Sequence, residues 1–151
     1  PAADPVLTPA GEARARALAA ELGNAGITRI LVTPRQRTAL TAAPLARARG
    51  ITPEVIPLGD STPAHVAAVA AAIRALPPGT KALVVGHSNT VPRIVTALGG
   101  PPFRDLCDGE YQTLFIVRLR AGRAATAETR PYGAPNAPGA SECRQSPSMM
   151  R

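Results

Sequence analysis

Lys81-Ala82-Leu83-Val84-Val85-Gly86-His87-Ser88-Asn89-Thr90 passes from an apolar run straight into a glycine, a histidine and three short polar residues. An apolar run of this length bounded by turn signals predicts a buried strand. Arg29-Ile30-Leu31-Val32-Thr33 is a second such run, and it leads into Pro34-Arg35-Gln36-Arg37. Helical patterns alternate with these strands. Thr8-Pro9 reads as an N-cap and first helical residue, opening a helix to about Leu22. Thr33-Pro34 repeats that signal and predicts a helix to about Arg49, closed by Gly50. Glu54 to Ile56 reads as a short strand, and Ser61-Thr62-Pro63 opens a helix that ends before Pro77-Pro78-Gly79. After Thr90 a helix runs to Leu98 and stops at Gly99-Gly100. Gln112 to Leu119 and Ala124 to Thr129 flank Ala121-Gly122 and predict a hairpin. The alternation predicts an α/β three-layer sandwich: a mostly parallel sheet with helices on both faces and the hairpin as an antiparallel edge. Residues 1–134 read as one domain, and 135–151, rich in Pro, Gly and Ser, as a disordered tail.

A chain of 151 residues buries roughly 70% of its unfolded surface and needs no disulfide or metal staple. No run approaches ~18 apolar residues, so no membrane span is expected. Aromatic residues are 3% of the chain and Trp is absent, which argues against a partner read by base stacking. The net charge is +7, and Lys81 is the only lysine, so the positive charge is almost all arginine. Arginine forks suit phosphate. The plainer reading is that an Ala- and Arg-rich chain carries solvated arginines on its helix faces. Cys107 and Cys143 show no CxxC spacing, and with two histidines in the chain no metal site is expected. Pro1 opens the chain without a signal-peptide pattern, which leaves the compartment open between cytoplasm and, behind a removed signal, periplasm or exterior.

In parallel sheets ligands bind beyond the carboxyl ends of the strands. Two loops qualify, 33–37 and 86–90. His87 follows a strand end and a glycine, where an imidazole can act as nucleophile, general acid or phosphate donor. Ser88, Asn89 and Thr90 add short polar side chains and helix N-terminal amides, which favour an anion. Arg37 stands in the first turn of the second predicted helix. Arg35 is its near neighbour, about 200° away at 3.6 residues per turn, so only one of the two can face a pocket. The residues alone do not choose between them. His65, near the start of the third helix, reads as a solvated helix-terminus histidine.

Leu7-Thr8-Pro9-Ala10-Gly11, then Thr33-Pro34-Arg35-Gln36-Arg37-Thr38-Ala39-Leu40-Thr41-Ala42, then Val84-Val85-Gly86-His87-Ser88-Asn89-Thr90, taken in order, resemble the histidine phosphatase superfamily, the phosphoglycerate-mutase-like proteins. Asp108-Gly109-Glu110-Tyr111 ahead of Leu114-Phe115-Ile116-Val117, and Pro131-Tyr132-Gly133-Ala134-Pro135, look like small bacterial members. The resemblance runs from about Asp4 to Pro135. It implies phosphomonoester hydrolysis through a phosphohistidine intermediate, on a small phosphorylated substrate and without a cofactor. Arg37 would clamp the phosphoryl group, and Leu40 stands where the family has glutamine. His87 would be the second pocket histidine and the catalytic residue present here, with Ser88 and Asn89 beside it. Glu110 and Tyr111 would line the pocket rim.

The family's nucleophilic histidine lies in an Arg-His-Gly or Arg-His-Ala-Glu segment at the end of the first strand. Nothing in residues 1–151 has that pattern, and the first family strand is expected to be missing. Residues 1–151 alone are therefore expected to be inactive. The alternative is a non-catalytic phosphate- or nucleotide-binding pseudoenzyme that keeps Arg37 and His87 as an anion clamp. A basic nucleic-acid binder stands third.

Overall fold

The computed structural model describes residues 4–104, 113–120 and 124–133. The chain divides into two compact units, Pro1–Gly86 and His87–Arg151. Glu110, Tyr111, Cys107, Cys143 and the expected tail lie outside the described residues.

The first unit alternates helix and strand: α1 Pro9–Leu22, β1 Arg29–Val32, α2 Gln36–Arg49, β2 Glu54–Val55, α3 Thr62–Arg74 and β3 Ala82–Val84. Two helix starts form as the sequence predicts. The Thr8 hydroxyl accepts from the Gly11 amide at 3.0 Å, and the Ser61 hydroxyl accepts from the Ala64 amide at 3.1 Å. Each satisfies a first-turn donor that has no partner inside its helix. At the far end of α2, Gly50 is left-handed (φ 66°), and its amide reaches the carbonyls of Ala46 and Arg47. A side chain there would be strained, so the glycine ends the helix.

The strands form a parallel sheet in the order β2-β1-β3. Ile30, Leu31 and Val32 of the central β1 are buried, as are Ala15 and Leu18 of α1, Ala42 and Leu45 of α2, and Val66 and Val69 of α3. Each large apolar side chain among them contributes roughly 1.5–3 kcal/mol by leaving water. An exposed fork from Arg29 to both carboxylate oxygens of Glu54, at 2.7 and 2.8 Å, links β1 to β2.

On β3, the Lys81 carbonyl accepts from Thr28 and the Val85 amide donates to Leu31. Alternate residues of a strand turn their backbone groups to opposite sides, so Ala82 and Val84 present theirs to the other edge. Among the described residues no strand pairs with that edge.

The second unit contains α4 Val91–Ala97 and the antiparallel hairpin β4 Thr113–Arg118 with β5 Thr126–Pro131. The hairpin forms a two-stranded sheet of its own. Phe103 meets Phe115 edge to face at 5.1 Å. α4 ends at Ala97, one residue before the predicted Leu98, ahead of the left-handed Gly99 (φ 93°), and position 100 must be glycine because a Cβ there would lie 2.9 Å from the Val95 carbonyl oxygen.

One helix start departs from expectation. α2 begins at Gln36, with Arg35 as an extended N-cap residue (φ −76°, ψ 135°) whose side chain makes no capping bond. Thr33 does not cap in the predicted way: its hydroxyl accepts from the Arg35 amide at 3.2 Å, two residues on, and the Gln36 amide donates to Asp4 instead. The chain therefore makes one further bend before turning helical. Pro44 lies inside α2, where sequence reasoning gave it no weight.

Candidate functional site

The loop after β1 is held by a buried threonine pair. The Thr38 hydroxyl accepts from the Thr33 amide at 3.0 Å and lies 2.9 Å from the Arg35 carbonyl, to which it donates. Thr33 and Thr38 are 3% and 1% exposed, so these bonds form away from water and fix the backbone on both sides of Arg35. Arg37, one residue before Thr38, is exposed in the first turn of α2. Arg35 is half-buried on the extended N-cap residue. The helical angle of about 200° between the two does not apply, because Arg35 lies outside the helix. Thr38 anchors the loop, and sequence reasoning missed it. The signal was a threonine three residues into the helix, where a side-chain oxygen can reach back to open backbone.

The loop after β3 uses the same device. The His87 amide donates to the Thr90 hydroxyl at 3.0 Å, and the amides of Thr90 and Val91 both donate to the His87 carbonyl. Thr90 is buried at 4% exposure, whereas Ser88 and Asn89 are exposed and His87 is half-buried. The backbone of His87 is thus clamped at both polar groups by its own turn. The anion-binding helix N-terminus expected here is weaker than the sequence suggests. α4 has seven residues, and the Thr90 hydroxyl faces back to His87 rather than capping the helix. A short helix contributes only a small end charge.

His65 overturns its sequence reading. It is 2% exposed, and its Nδ1 lies 2.8 Å from the Pro57 carbonyl. A carbonyl only accepts, so Nδ1 carries the proton in that bond. Nε2 is buried without a hydrogen-bond partner. The cause is a loop carbonyl eight residues earlier that draws the ring inward. The imidazole is shut off from solvent.

Arg37 lies in the first compact unit and His87 opens the second. Among the described residues no cluster of His, Cys, Asp or Glu could hold a metal ion, and no helix is long and apolar enough to cross a membrane.

A sheet of parallel strands that places polar loops at its carboxyl ends, followed by an antiparallel hairpin, defines an α/β fold of the phosphoglycerate-mutase-like kind. Residues 1–58, which contain Arg37, match the model of the histidine phosphatase superfamily (branch 1). Solved structures share the fold. A mycobacterial glucosyl-3-phosphoglycerate phosphatase bound to inorganic phosphate matches with TM-score 0.57 and 16% identity, over 87% of this chain and 88% of its own. Mycobacterial hydrolase 2 matches with TM-score 0.58 and 15% identity, over 93% of this chain and 85% of its own. No curated protein matches the chain.

Proposed function

We propose that these residues serve the hydrolysis of small phosphomonoesters through a phosphohistidine intermediate, with Arg37 and His87 on the phosphoryl group and the nucleophilic histidine not among residues 1–151. The observation that carries this reading is the position of Arg37. It falls within the span that matches the superfamily model, in the first turn of the helix that follows the central strand. The solved phosphate complex of a protein of the same fold supports the ligand class.

In this reaction an imidazole nitrogen attacks phosphorus, the P–O ester bond breaks, and the alcohol leaves with a proton. Water then cleaves the P–N bond, releasing inorganic phosphate and restoring the histidine. The transition states spread negative charge over the phosphoryl oxygens. Arg37 meets that charge with a two-pronged donor, and the braced His87 adds a directed hydrogen bond. Ser88 and Asn89, exposed in the same turn as His87, supply further short donors. Neither histidine of residues 1–151 is an available nucleophile: His65 is buried, and His87 takes the phosphate-binding role. Residues 1–151 by themselves therefore bind phosphate without turning over an ester. In that restricted sense they behave as a non-catalytic phosphate binder.

The test titrates residues 1–151 with inorganic phosphate, followed by ³¹P NMR and calorimetry, and assays them on an aryl phosphate. Arg37→Ala and His87→Ala each weaken phosphate binding by about tenfold or more, as expected for losing a charge-assisted donor. Arg35→Ala changes it about twofold, through a salt-screened attraction. Aryl phosphate is not hydrolysed. Turnover that disappears in His65→Ala, or phosphate affinity equal in wild type and Arg37→Ala, overturns the reading.

A further inference from the structure

Asp4 stands on the extended segment before α1, yet it is bonded to the first residue of α2. Its carboxylate Oδ1 accepts from the Gln36 amide at 2.9 Å, and the Gln36 side-chain Nε2 donates to the Asp4 carbonyl at 2.9 Å. The two residues are 32 positions apart. The exchange is reciprocal, as in a capping box, but its partner comes from a different part of the chain.

α2 needs such a partner. Its own N-cap residue, Arg35, contributes no side-chain bond, and the Thr33 hydroxyl is held by the Arg35 amide. Asp4 also brings a negative charge to the positive end of the helix, where a carboxylate is stabilising. Gln36 lies between Arg35, whose carbonyl is held by Thr38, and Arg37. The first turn of α2 is thus tied from outside the helix by Asp4 and from inside by Thr38.

We infer that Asp4 and Gln36 form a latch that fixes the first turn of α2 and thereby aims Arg37 at the phosphoryl group. Asp4 is a positioning residue in this scheme: it acts through the Gln36 backbone and touches no substrate. The inference rests on the proposed role of Arg37. Because the latch occupies the Gln36 amide, recognition of the anion falls to the Arg37 side chain rather than to that amide.

The experiment combines amide hydrogen exchange with phosphate titration on residues 1–151, for wild type, Asp4→Ala, Asp4→Asn, Arg37→Ala and the Asp4→Ala/Arg37→Ala double variant. Asp4→Ala speeds exchange at the Gln36 amide and weakens phosphate binding about fivefold, the size of losing a helix cap. Asp4→Asn keeps an acceptor oxygen and restores most of the protection and most of the affinity. In the Arg37→Ala background, Asp4→Ala changes phosphate affinity no further, because the latch acts through that arginine. Unchanged exchange at Gln36 in Asp4→Ala overturns the latch. Tighter phosphate binding in both Asp4 variants also overturns it, since Asp4 would then act only as a repelling charge. If exchange responds but wild type and Arg37→Ala bind phosphate equally, the role of Arg37 fails, and the aiming of that residue fails with it.

Discussion

Replacing Thr38 by valine removes the hydroxyl that holds the loop preceding Arg37 while keeping the shape of the side chain. Thr38 is 1% exposed, so water does not replace the lost hydroxyl. The Thr33 amide loses an acceptor at 3.0 Å, and the Arg35 carbonyl loses a donor at 2.9 Å. The Arg35 carbonyl keeps the Thr38 amide at 3.1 Å, so its loss is partial. Stripping a buried donor of its acceptor costs about 1–3 kcal/mol, and valine leaves no cavity to add to this. The expected destabilisation is therefore about 2 kcal/mol. For a chain of this length it lowers the melting temperature by roughly 4–8 °C, at about 2–4 °C per kcal/mol. Urea unfolding followed by far-UV circular dichroism gives the free energy, and calorimetry gives the melting temperature. Thr38→Ser supplies the control, because it keeps the hydroxyl and drops only a methyl group. Thr38→Val within about 0.5 kcal/mol of wild type would refute the argument, as would Thr38→Ser losing as much as Thr38→Val. Either result would mean that the loop is held by packing and not by this hydroxyl.

Leu45→Ala removes a fully buried leucine from α2 and should cost about 2–5 kcal/mol in urea unfolding, with phosphate affinity preserved in the folded fraction. Arg29→Gln breaks the fork to Glu54, but the two side chains are 40% and 46% exposed, so chemical denaturation should record a loss of no more than about 1 kcal/mol. EDTA should leave phosphate binding unchanged in the same titration, because arginine and imidazole donors need no cation.

Much of the framework was legible in the sequence because it is written locally. The apolar runs around Ile30 and Leu83 are bounded by turn residues, and both became strands of one parallel sheet. Thr8-Pro9 and Ser61-Thr62-Pro63 cap their helices as short-range chemistry requires. The failures share a different cause. Thr33-Pro34 carries the same local signal as Thr8-Pro9, but Thr38 competes for the backbone on either side of Arg35 and delays the helix. His65 was read from its place on a helix, whereas its burial is set with the Pro57 carbonyl. Asp4 and Gln36 meet across 32 residues, a separation at which no periodicity or spacing rule applies. For Arg37 and His87, the residues proposed for the site, the sequence read the strands that precede them, β1 and β3. It did not reveal the threonines that hold their loops, because an alcohol mid-turn looks the same whether it faces water or backbone.

Pro44 gives α2 a mechanical division. Proline has no amide hydrogen, so the carbonyl of Leu40, four residues earlier, receives no bond from it, and the ring crowds that turn. The stretch after Pro44 carries Leu45 and Ala46, both buried. The stretch before it carries Arg37 and depends on Thr38, Ala42 and the Asp4 contact for its hold. The two halves need not melt together: amides near Gln36 can open in a local fluctuation while those near Ala46 open only when the whole unit unfolds. The turn that carries the arginine is therefore held chiefly by side-chain contacts, those of Thr38, Ala42 and Asp4, with one rung of the helical ladder missing behind it.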